Sequence, residues 1–311
     1  MPETRRRDNR KEDPVETIAI PRENVEEPIE PRVTAILIGH NQAQALRRAI
    51  AALEKSRDRE KLEIIVIDSG SSDDTATLDV EFENISVLRL PHDMGKTRAM
   101  NIGTRTARAE LVFFVSPNVE VAPDTVTKLA DALEPDIETS AVAPLLVDTS
   151  GAVVSKNRRL PDKDALRTVC AGGEIDGEDI DESQESVTVA YPRIEALMVR
   201  KHFIKGMNYF DERFGEYWAD ADLCAQIRRA SRKARVIPAI RATLHAAPDP
   251  HQGDSLASAD CKLGAAHFLG KYYGGGFGFR LGAIFGALGR FNFGELAKLA
   301  SGQKLDGTQA M

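Results

Sequence analysis

Between residues 33 and 133 the chain alternates short apolar runs with stretches that have the apolar spacing of helices. The apolar runs are rich in β-branched residues and lack polar alternation, which is typical of parallel strands buried on both faces. This order predicts an α/β domain with a mostly parallel sheet, flanked by helices and joined by right-handed crossovers. The predicted strands are Val33–Ile38, Leu62–Ile67, Ser86–Leu90 and Leu111–Val115, and the predicted helices are Ala43–Lys55, a segment after Ser72, Gly95–Ala107 and Pro123–Leu133.

Beyond residue 133 the pattern is weaker. Residues 170–187 carry seven acidic side chains and no basic one, which predicts an exposed loop. From residue 258 the chain is glycine-rich and predicted to be helical as far as 311. Further predicted elements are strands at Ala141–Leu146, Ile194–Val199 and Arg235–Ile240, and a helix that begins near Asp220 or Asp222 and ends at about Ser231.

Composition narrows the class of protein. Residues 1–31 mix arginines, glutamates and prolines with few apolar residues, so we expect a disordered tail before a domain over 32–257. The net charge of −7 argues against a nucleic-acid partner. Three cysteines without C-x-x-C spacing predict neither structural zinc nor a disulfide framework, which favours the cytoplasm. We see no signal-peptide pattern and no apolar run long enough to span a membrane.

Polar residues follow the first two predicted strands where each ends. Gly39-His-Asn41 follows the first strand, and Asp68-Ser-Gly-Ser-Ser-Asp-Asp-Thr75 follows the second. Open α/β sheets bind their ligands at the carboxyl ends of the strands, which is where Asp68 is expected. A carboxylate there can accept hydrogen bonds from a nucleobase or a ribose. The arrangement predicts an enzyme that handles a nucleotide.

Four later motifs extend the pattern. They are His92-Asp-Met-Gly-Lys-Thr-Arg-Ala-Met-Asn-Ile-Gly103, Leu111-Val-Phe-Phe-Val-Ser-Pro-Asn-Val-Glu120, Phe210-Asp-Glu-Arg-Phe-Gly-Glu-Tyr-Trp-Ala-Asp-Ala-Asp-Leu-Cys224 and Ala242-Thr-Leu-His245. In this order the chain resembles the family 2 inverting glycosyltransferases of the GT-A fold, and its C-terminal half looks most like the rhamnosyltransferase-type members. The resemblance implies a nucleotide-binding half over 32–135, an acceptor half over 136–257 and a helical extension over 258–311.

The resemblance also implies that a nucleotide-diphosphate sugar lies across the carboxyl ends of the N-terminal strands. Asp68 looks like the family's nucleoside-binding aspartate, with Asn41 and Asp73 close by. The simpler alternative is that Asp68 only ends a strand and that Asp73 only caps a helix.

A second donor-binding segment resembles the family's glycine-rich helix start, which would steer the anionic diphosphate. The alternative is that its cations are solvated surface charges. The segment contributes Gly95, Lys96, Arg98 and Asn101.

The metal motif departs from the family pattern. The family usually has an aspartate or a D-x-D after its fourth strand, which holds Mg²⁺ or Mn²⁺ against the diphosphate. Here Asn118 occupies that position, and an amide is a weaker ligand than a carboxylate for a hard cation. Glu120 is a candidate for compensation, and His245 resembles a family histidine that meets the metal or the diphosphate.

The resemblance gives Asp220 the role of general base. Inversion requires a carboxylate that takes a proton from the acceptor hydroxyl as it attacks the anomeric carbon. The family's usual Glu-Asp pair is Ala219-Asp220 here, so the glutamate is lost. Asp222 is a second candidate base, and the alternative for both aspartates is helix capping. Tyr217 and Trp218 suit stacking on a sugar or packing in the core.

The C-terminal extension has glycines at every fourth position, namely Gly278, Gly282 and Gly286, flanked by large apolar residues. Small residues at this spacing allow close helix packing. One hypothesis is peripheral membrane contact, with Arg280, Arg290 and Lys298 near anionic lipid headgroups. The alternative is packing against the catalytic domain or a second copy of the chain.

These observations predict a cytoplasmic inverting glycosyltransferase, at the inner face of the plasma membrane, that serves cell-envelope or surface polysaccharide synthesis. Its partners would be a nucleotide-diphosphate sugar donor and a glycan or lipid-linked acceptor. The alternative is a catalytically degenerate GT-A protein that acts as a nucleotide-binding scaffold, because carboxylates are missing at Asn118 and Ala219. A phosphohydrolase fits poorly because Ser69-Gly70 breaks its D-x-D-G-T motif. A nucleotidyltransferase would need a glycine- and lysine-rich first loop, which Gly39-His-Asn-Gln is not.

Overall fold

The computed structural model describes residues 29–246 and 253–304. Most of the predicted tail (1–31) and the end of the predicted extension (305–311) lie outside these ranges. Within the described residues, a nine-stranded sheet forms the centre of the molecule. Buried apolar clusters lie on both of its faces, as expected from strands without polar alternation.

The N-terminal half begins with four parallel strands in the order β3-β2-β1-β4. The pairing of β1 with β2 sets Gly39 opposite Asp68, so the two polar motifs leave the sheet side by side. The helices lie between the strands in sequence, as predicted. The elements are β1 (Val33–Gly39), α1 (Ala43–Glu54), β2 (Leu62–Asp68), α2 (Leu78–Glu81), β3 (Ser86–Arg89), α3 (Lys96–Thr106), β4 (Leu111–Val115), β5 (Val119–Val121) and α4 (Thr125–Leu133).

Beyond β4 the sheet is mixed. β10 (Ala196–Arg200) runs antiparallel between β4 and β6 (Thr139–Val147), and β11 (Lys233–Leu244) pairs in parallel with β6. β11 also pairs antiparallel with β5 and with β9 (Val187–Val189). The prediction of an α/β sheet flanked by helices is confirmed, and its parallel character is concentrated in the first four strands. Helices α6 (Lys201–Gly206) and α7 (Ala219–Arg229) belong to this half.

The segment predicted as an exposed loop over 170–187 contains regular structure. Strand β8 (Gly177–Asp179) pairs antiparallel with β7 (Lys156–Arg158), and helix α5 (Lys163–Cys170) precedes it. The prediction of a loop was wrong at β8 because this three-residue strand is polar and has no buried face to leave an apolar pattern. At the end of α5, the Cys170 and Cys261 sulfur atoms are 2.8 Å apart, and both cysteines are free thiols.

Three helices end the described chain: α8 (Ser255–Tyr272), α9 (Gly276–Gly289) and α10 (Phe293–Ser301). Helix α8 begins three residues before the predicted boundary because Asp254 caps it, accepting a hydrogen bond from the Leu256 N–H at 2.7 Å. The α8 helix is anchored to the domain by Trp218, whose indole N–H donates to the Cys261 carbonyl at 2.9 Å. None of the helices within residues 29–246 and 253–304 is long and apolar enough to cross a bilayer.

Candidate active site

Two adjoining cavities lie at the carboxyl ends of the first strands. The larger one, which we call the donor cleft, has a volume of about 200 Å³ and lies beside the ends of β1 and β4. The smaller one, the base pocket, has a volume of about 140 Å³ and contains Asp220. They share the lining residues Lys96, Met100, Ile194 and Glu216. A molecule bound in the donor cleft would therefore lie next to Asp220.

Two of the three residues predicted near the nucleoside, Asn41 and Asp73, join the loops that follow β1 and β2. Asn41 has a left-handed backbone (φ +53°), and its Oδ1 accepts the Ser72 N–H at 2.8 Å. Asp73 accepts the Ala43 N–H at 2.9 Å and the Thr75 N–H at 3.0 Å, which caps the turn at 74–77. These contacts match the simpler alternative for Asp73, that of a capping residue.

Asp68 is buried at the end of β2, with 3% of its surface exposed. Its Oδ1 accepts the Ser71 N–H at 2.9 Å and so fixes the turn that follows the strand. The neighbouring Ser69 lines the donor cleft, and its hydroxyl donates to Asp93 Oδ1 at 2.9 Å. Asp68 thus lies at the base of the loop that borders the cleft, and its nucleoside contact stays a prediction.

The residues of the glycine-rich helix start lie in two different places, some at the cavities and some against a neighbouring turn. Gly95 has φ +76°, a conformation that favours glycine, and it leads into α3. Lys96 lines both cavities. Arg98 instead pairs with Glu212 at 3.3 Å, and the buried Asn101 exchanges hydrogen bonds of 2.9 Å with the backbone of Phe210. Arg98 and Asn101 join α3 to the 210–214 turn, so this arrangement does not support their predicted contact with a diphosphate.

Three acidic residues that we did not predict face the donor cleft: Asp93, Glu195 and Glu216. Burial raises the pKa of Glu216 to about 8, although the charge and the N–H of Lys96 oppose the rise. That N–H donates to Glu216 Oε2 at 2.7 Å. Burial also acts on Glu195, but Arg193 and Lys96 outweigh it and hold the pKa of Glu195 below its ordinary value. Asp93 lies in the motif 92–103 close to Gly95, and Glu216 lies in the motif 210–224 beside Gly215. Both glycines have positive φ, and their presence in the sequence was the available signal for these two acids.

Two of the predicted metal ligands, Glu120 and His245, contact each other, and the third, Asn118, lies beside His245. His245 Nε2 is 2.9 Å from Glu120 Oε2, and the His245 N–H donates to the Asn118 carbonyl at 2.8 Å. Asn118 lines the donor cleft. Across residues 29–246 and 253–304, no three His, Cys, Asp or Glu side chains form a metal-binding group. One carboxylate, one imidazole and one amide do not by themselves fit Mg²⁺ or Mn²⁺, which prefer several oxygen ligands.

Asp220 lies in the first turn of α7 and lines the base pocket. Its Oδ2 accepts a hydrogen bond from the Tyr191 hydroxyl at 2.8 Å, and its Oδ1 accepts the Ala221 N–H at 2.9 Å. Burial, together with the charge of Asp220, keeps the pKa of Tyr191 well above its ordinary value, so this phenol remains a donor. The Arg158 guanidinium lies 4.3 Å from the centre of the Tyr191 ring. The carboxylate is thereby held in one orientation.

The side chains of Asp222 and Trp218 are buried and make contacts that stabilise the fold. Asp222 is buried and contacts Lys271 Nζ at 2.7 Å and the Tyr272 hydroxyl at 2.6 Å, which ties α7 to α8. Trp218 is also buried and has a left-handed backbone (φ +77°) immediately before α7. Tyr217 lines the base pocket and is more open to a ligand.

Comparison with solved structures identifies the class of fold. The chain superposes on GalNAc-T7, solved with UDP, GalNAc and Mn²⁺, with a TM-score of 0.55 at 15% identity over 71% of this chain and 45% of that one. It superposes on residues 1–349 of S. aureus TarS, solved in complex with UDP-GlcNAc, with a TM-score of 0.54 at 14% identity. That match covers 77% of this chain and 66% of the TarS chain. The architecture is the GT-A fold.

Sequence comparison gives the family. Residues 34–171 match the model of glycosyl transferase family 2. The chain is 22% identical to N-acetylglucosaminyl-diphospho-decaprenol L-rhamnosyltransferase of Mycobacterium tuberculosis, over 76% of this chain and 81% of that protein. It is 29% identical to an N-acetylglucosaminyltransferase of Sinorhizobium fredii over 32% of this chain and 26% of that protein. These matches confirm the predicted resemblance to the family 2 glycosyltransferases of rhamnosyltransferase type.

Proposed function

We propose that this glycosyltransferase moves a hexose or deoxyhexose from a nucleotide-diphosphate sugar to an acceptor hydroxyl with inversion at the anomeric carbon. The observation that carries the proposal is the pair of adjoining cavities. One borders the ends of β1 and β4, and the other contains Asp220. A donor in the first cavity would present its sugar to an acceptor in the second.

In this mechanism Asp220 is the general base. Its carboxylate takes the proton of the acceptor hydroxyl while that oxygen bonds to the anomeric carbon, and the bond from that carbon to the diphosphate breaks. A positioned base contributes roughly 10²–10⁴-fold to the rate. The hydrogen bond from the Tyr191 hydroxyl orients the Asp220 carboxylate. Tyr191 acts through Asp220 and is therefore a positioning residue.

The donor diphosphate would lie near the N-terminus of α3 and Lys96. A helix N-terminus and an ammonium group both favour negative charge. The carboxyl of Glu216 opposes an anion only when it is ionised, and its pKa of about 8 keeps it largely protonated at neutral pH. Asn118, Glu120 and His245 do not by themselves fit a hard divalent cation, and the step described above uses the side chains of this chain alone.

We further propose that the acceptor is a glycan or a lipid-linked sugar of the cell envelope, used at the cytoplasmic face of the membrane. The mycobacterial relative, which is similar over three quarters of this chain, carries a diphospho-decaprenol acceptor in its name. A catalytically degenerate scaffold is the second candidate. The amide at Asn118 and the lost glutamate at Ala219 favour it.

Calorimetric titration tests the first step. The purified chain is titrated with UDP, GDP, dTDP and their sugars, with and without Mn²⁺, and we expect one nucleotide to bind. The Asp68→Asn variant retains an oxygen for the Ser71 N–H, so it should fold normally and bind that nucleotide about tenfold more weakly, the cost of about one hydrogen bond to a charged group. Binding without any transfer to a lipid-linked or glycan acceptor would favour the scaffold. If no nucleotide binds, the transferase proposal fails.

A further inference from the structure

Glu216 lies at the boundary between the two cavities of the candidate active site. It lines both of them, whereas Asp93 and Glu195 line the donor cleft alone and Asp220 lines the base pocket alone. A donor in the cleft and an acceptor in the base pocket would meet at this boundary. The bond from the anomeric carbon to the diphosphate would therefore break beside Glu216, an assignment that rests on the proposed function.

Two helices hold Glu216 in place and leave one of its carboxyl oxygens open to a ligand. Oε2 accepts the Lys96 N–H of α3 at 2.7 Å, and the Glu216 N–H donates to Asp260 Oδ2 of α8 at 2.8 Å. Gly215 precedes it with φ +68°, and a Cβ atom there would collide with the Asp260 carboxylate. Among the described residues, no group donates a hydrogen bond to Oε1.

The surroundings of Glu216 favour its protonated form. Burial raises the pKa of Glu216 to about 8, the carboxylates of Asp93 and Asp260 act in the same direction, and Lys96 opposes them. A carboxyl that is protonated on one oxygen is a hydrogen-bond donor there and remains an acceptor at the other oxygen. Because Oε2 already accepts the Lys96 N–H, Oε1 is the oxygen that can donate at neutral pH.

We propose that Glu216 is a second catalytic residue, whose O–H donates a hydrogen bond to the diphosphate oxygen that leaves the anomeric carbon. As the acceptor oxygen bonds to that carbon, its proton passes to Asp220, and the electron pair of the breaking bond moves to the leaving oxygen. The proton of Glu216 stays on its carboxyl and stabilises the charge that develops on that oxygen. A neutral donor adds no negative charge beside the diphosphate.

Initial rates of sugar transfer by the full chain test this role. Glu216→Ala removes the donor, so kcat should fall by about 10²-fold, as expected when one donor to a developing oxyanion is lost. The KM for the nucleotide sugar should change by less than about threefold, because the interaction forms mainly in the transition state. Glu216→Gln keeps an oxygen for the Lys96 N–H and offers an N–H in place of the O–H, so kcat should return to within about fivefold of the wild type.

Glu212→Ala is the matched control. Glu212 lies in the same loop and also joins it to α3, through a 3.3 Å pair with Arg98 and a 3.1 Å hydrogen bond from Asn101. It lines neither cavity. Its loss should therefore loosen the loop, which a lower Tm would report, and leave kcat within about twofold of the wild type.

The pH dependence separates a proton donor from a structural contact. The ratio kcat/KM reports ionisations of the free enzyme, so in the wild type it should fall about tenfold between about pH 7 and pH 9 as Glu216 ionises. In Glu216→Gln it should fall less, and because only this residue differs, the difference reports its proton. The other ionisable groups around this carboxyl are Lys96 of α3, Asp93 before it, Asp260 of α8, His40 after β1, Glu195 before β10, and Tyr191, Tyr217 and Asp220 of the base pocket.

Four results would overturn the proposal. They are equal losses of kcat in Glu216→Ala and Glu212→Ala, a loss in Glu216→Ala that lies entirely in KM, a Glu216→Gln variant as slow as Glu216→Ala, and identical pH profiles for Glu216→Gln and the wild type. If Glu216→Ala has a lower Tm, Glu216→Gln carries the test, because it retains the Lys96 contact. Sugar transfer by the wild type upholds the proposed function whatever these variants do, and its absence would overturn both proposals.

Discussion

The two halves of this glycosyltransferase differ in the contacts that their surface side chains make. In the N-terminal half, polar side chains at the strand ends bond to neighbouring loops, as Asn41 does with Ser72 and Asp73 does with Ala43. In the C-terminal half, large apolar side chains such as Phe277 and Phe285 remain uncovered. The first arrangement fixes a surface before a ligand arrives, and the second leaves apolar area exposed to solvent.

The halves also divide the proposed chemistry. The donor cleft is built largely on β1, β4 and the start of α3, whereas the candidate base comes from α7. Glu216 connects them, because its carboxyl accepts the backbone N–H of Lys96. Substitutions in the first half should therefore change binding or stability, and substitutions at the base should change the rate.

The largest expected effect is at Asp220. The Asp220→Asn variant keeps an oxygen for its backbone contact but cannot accept a proton, so we expect transfer to fall by roughly 10²–10⁴-fold. Nucleotide affinity, measured by calorimetry, should stay within about twofold. Initial rates of sugar transfer report the loss.

Asp222→Asn is the matched control for Asp220→Asn. Asp222 is buried against Lys271 and Tyr272, so the substitution should lower the Tm and leave the turnover of the folded fraction largely intact. Equal losses of turnover in both variants, or a large loss of nucleotide affinity in Asp220→Asn, would contradict the division between the halves.

The second effect concerns the metal. Asn118→Asp restores a carboxylate where the family usually has one, beside a cleft that already has Glu120 and His245 nearby. We expect Mn²⁺ to strengthen nucleotide binding about tenfold more in this variant than in the wild type, since hard cations prefer carboxylates. Asn118→Ser is the control and should show no such gain. An unchanged response to Mn²⁺ in Asn118→Asp would mean that the site is not arranged for a cation.

The parts predicted correctly from sequence are those with strong local signals. The strands β1, β2 and β4 have uninterrupted apolar runs, and the motif around Asp68 follows one of them directly. The family could be recognised because several such motifs keep a fixed order. Asp220 could be proposed because it matches the aspartate of the family's Glu-Asp pair within one of these motifs.

The parts that sequence did not reveal depend on contacts between distant residues. Asn101 looks like a ligand in the motif, but it bonds to Phe210, 109 positions away. Tyr191 orients Asp220 from a segment without a recognisable pattern. The three-residue strand β8 has too few residues for a periodicity to register. In each case the partner, not the local sequence, determines the role.

The third prediction tests whether Asp73 stabilises the loops at the strand ends or binds the nucleotide. Asp73→Ala removes the acceptor for the Ala43 and Thr75 N–H groups, and we expect the free energy of unfolding to fall by about 1–2 kcal/mol. Urea denaturation measures it. The neighbouring Asp74, which is 78% exposed and has only a 3.8 Å pair with Arg47, provides the control Asp74→Ala with little change. If Asp73→Ala is equally stable but loses nucleotide binding, Asp73 is a ligand rather than a cap.

The smallest expected effect is at Glu216, which connects the two halves. Burial raises the pKa of Glu216 from 4.5 to about 8, so the folded state holds this proton more tightly than the unfolded state does. The stabilisation is complete below about pH 4.5 and is lost as the pH rises towards 8. Glu216→Gln retains an acceptor for the Lys96 N–H but does not titrate, so its unfolding free energy should decline less than that of the wild type between these values.

The affinity for the donor should depend on the same ionisation of Glu216. Above pH 8 the ionised Glu216 faces the diphosphate, and we expect wild-type affinity to weaken several-fold, as for a like charge at a partly solvated distance. The Glu216→Gln variant should lack this decline. Glu212→Gln removes a carboxyl that is 40% exposed in the same loop and should behave as the wild type does. Identical pH profiles for the wild type and Glu216→Gln would mean that the two halves are not coupled through this carboxyl.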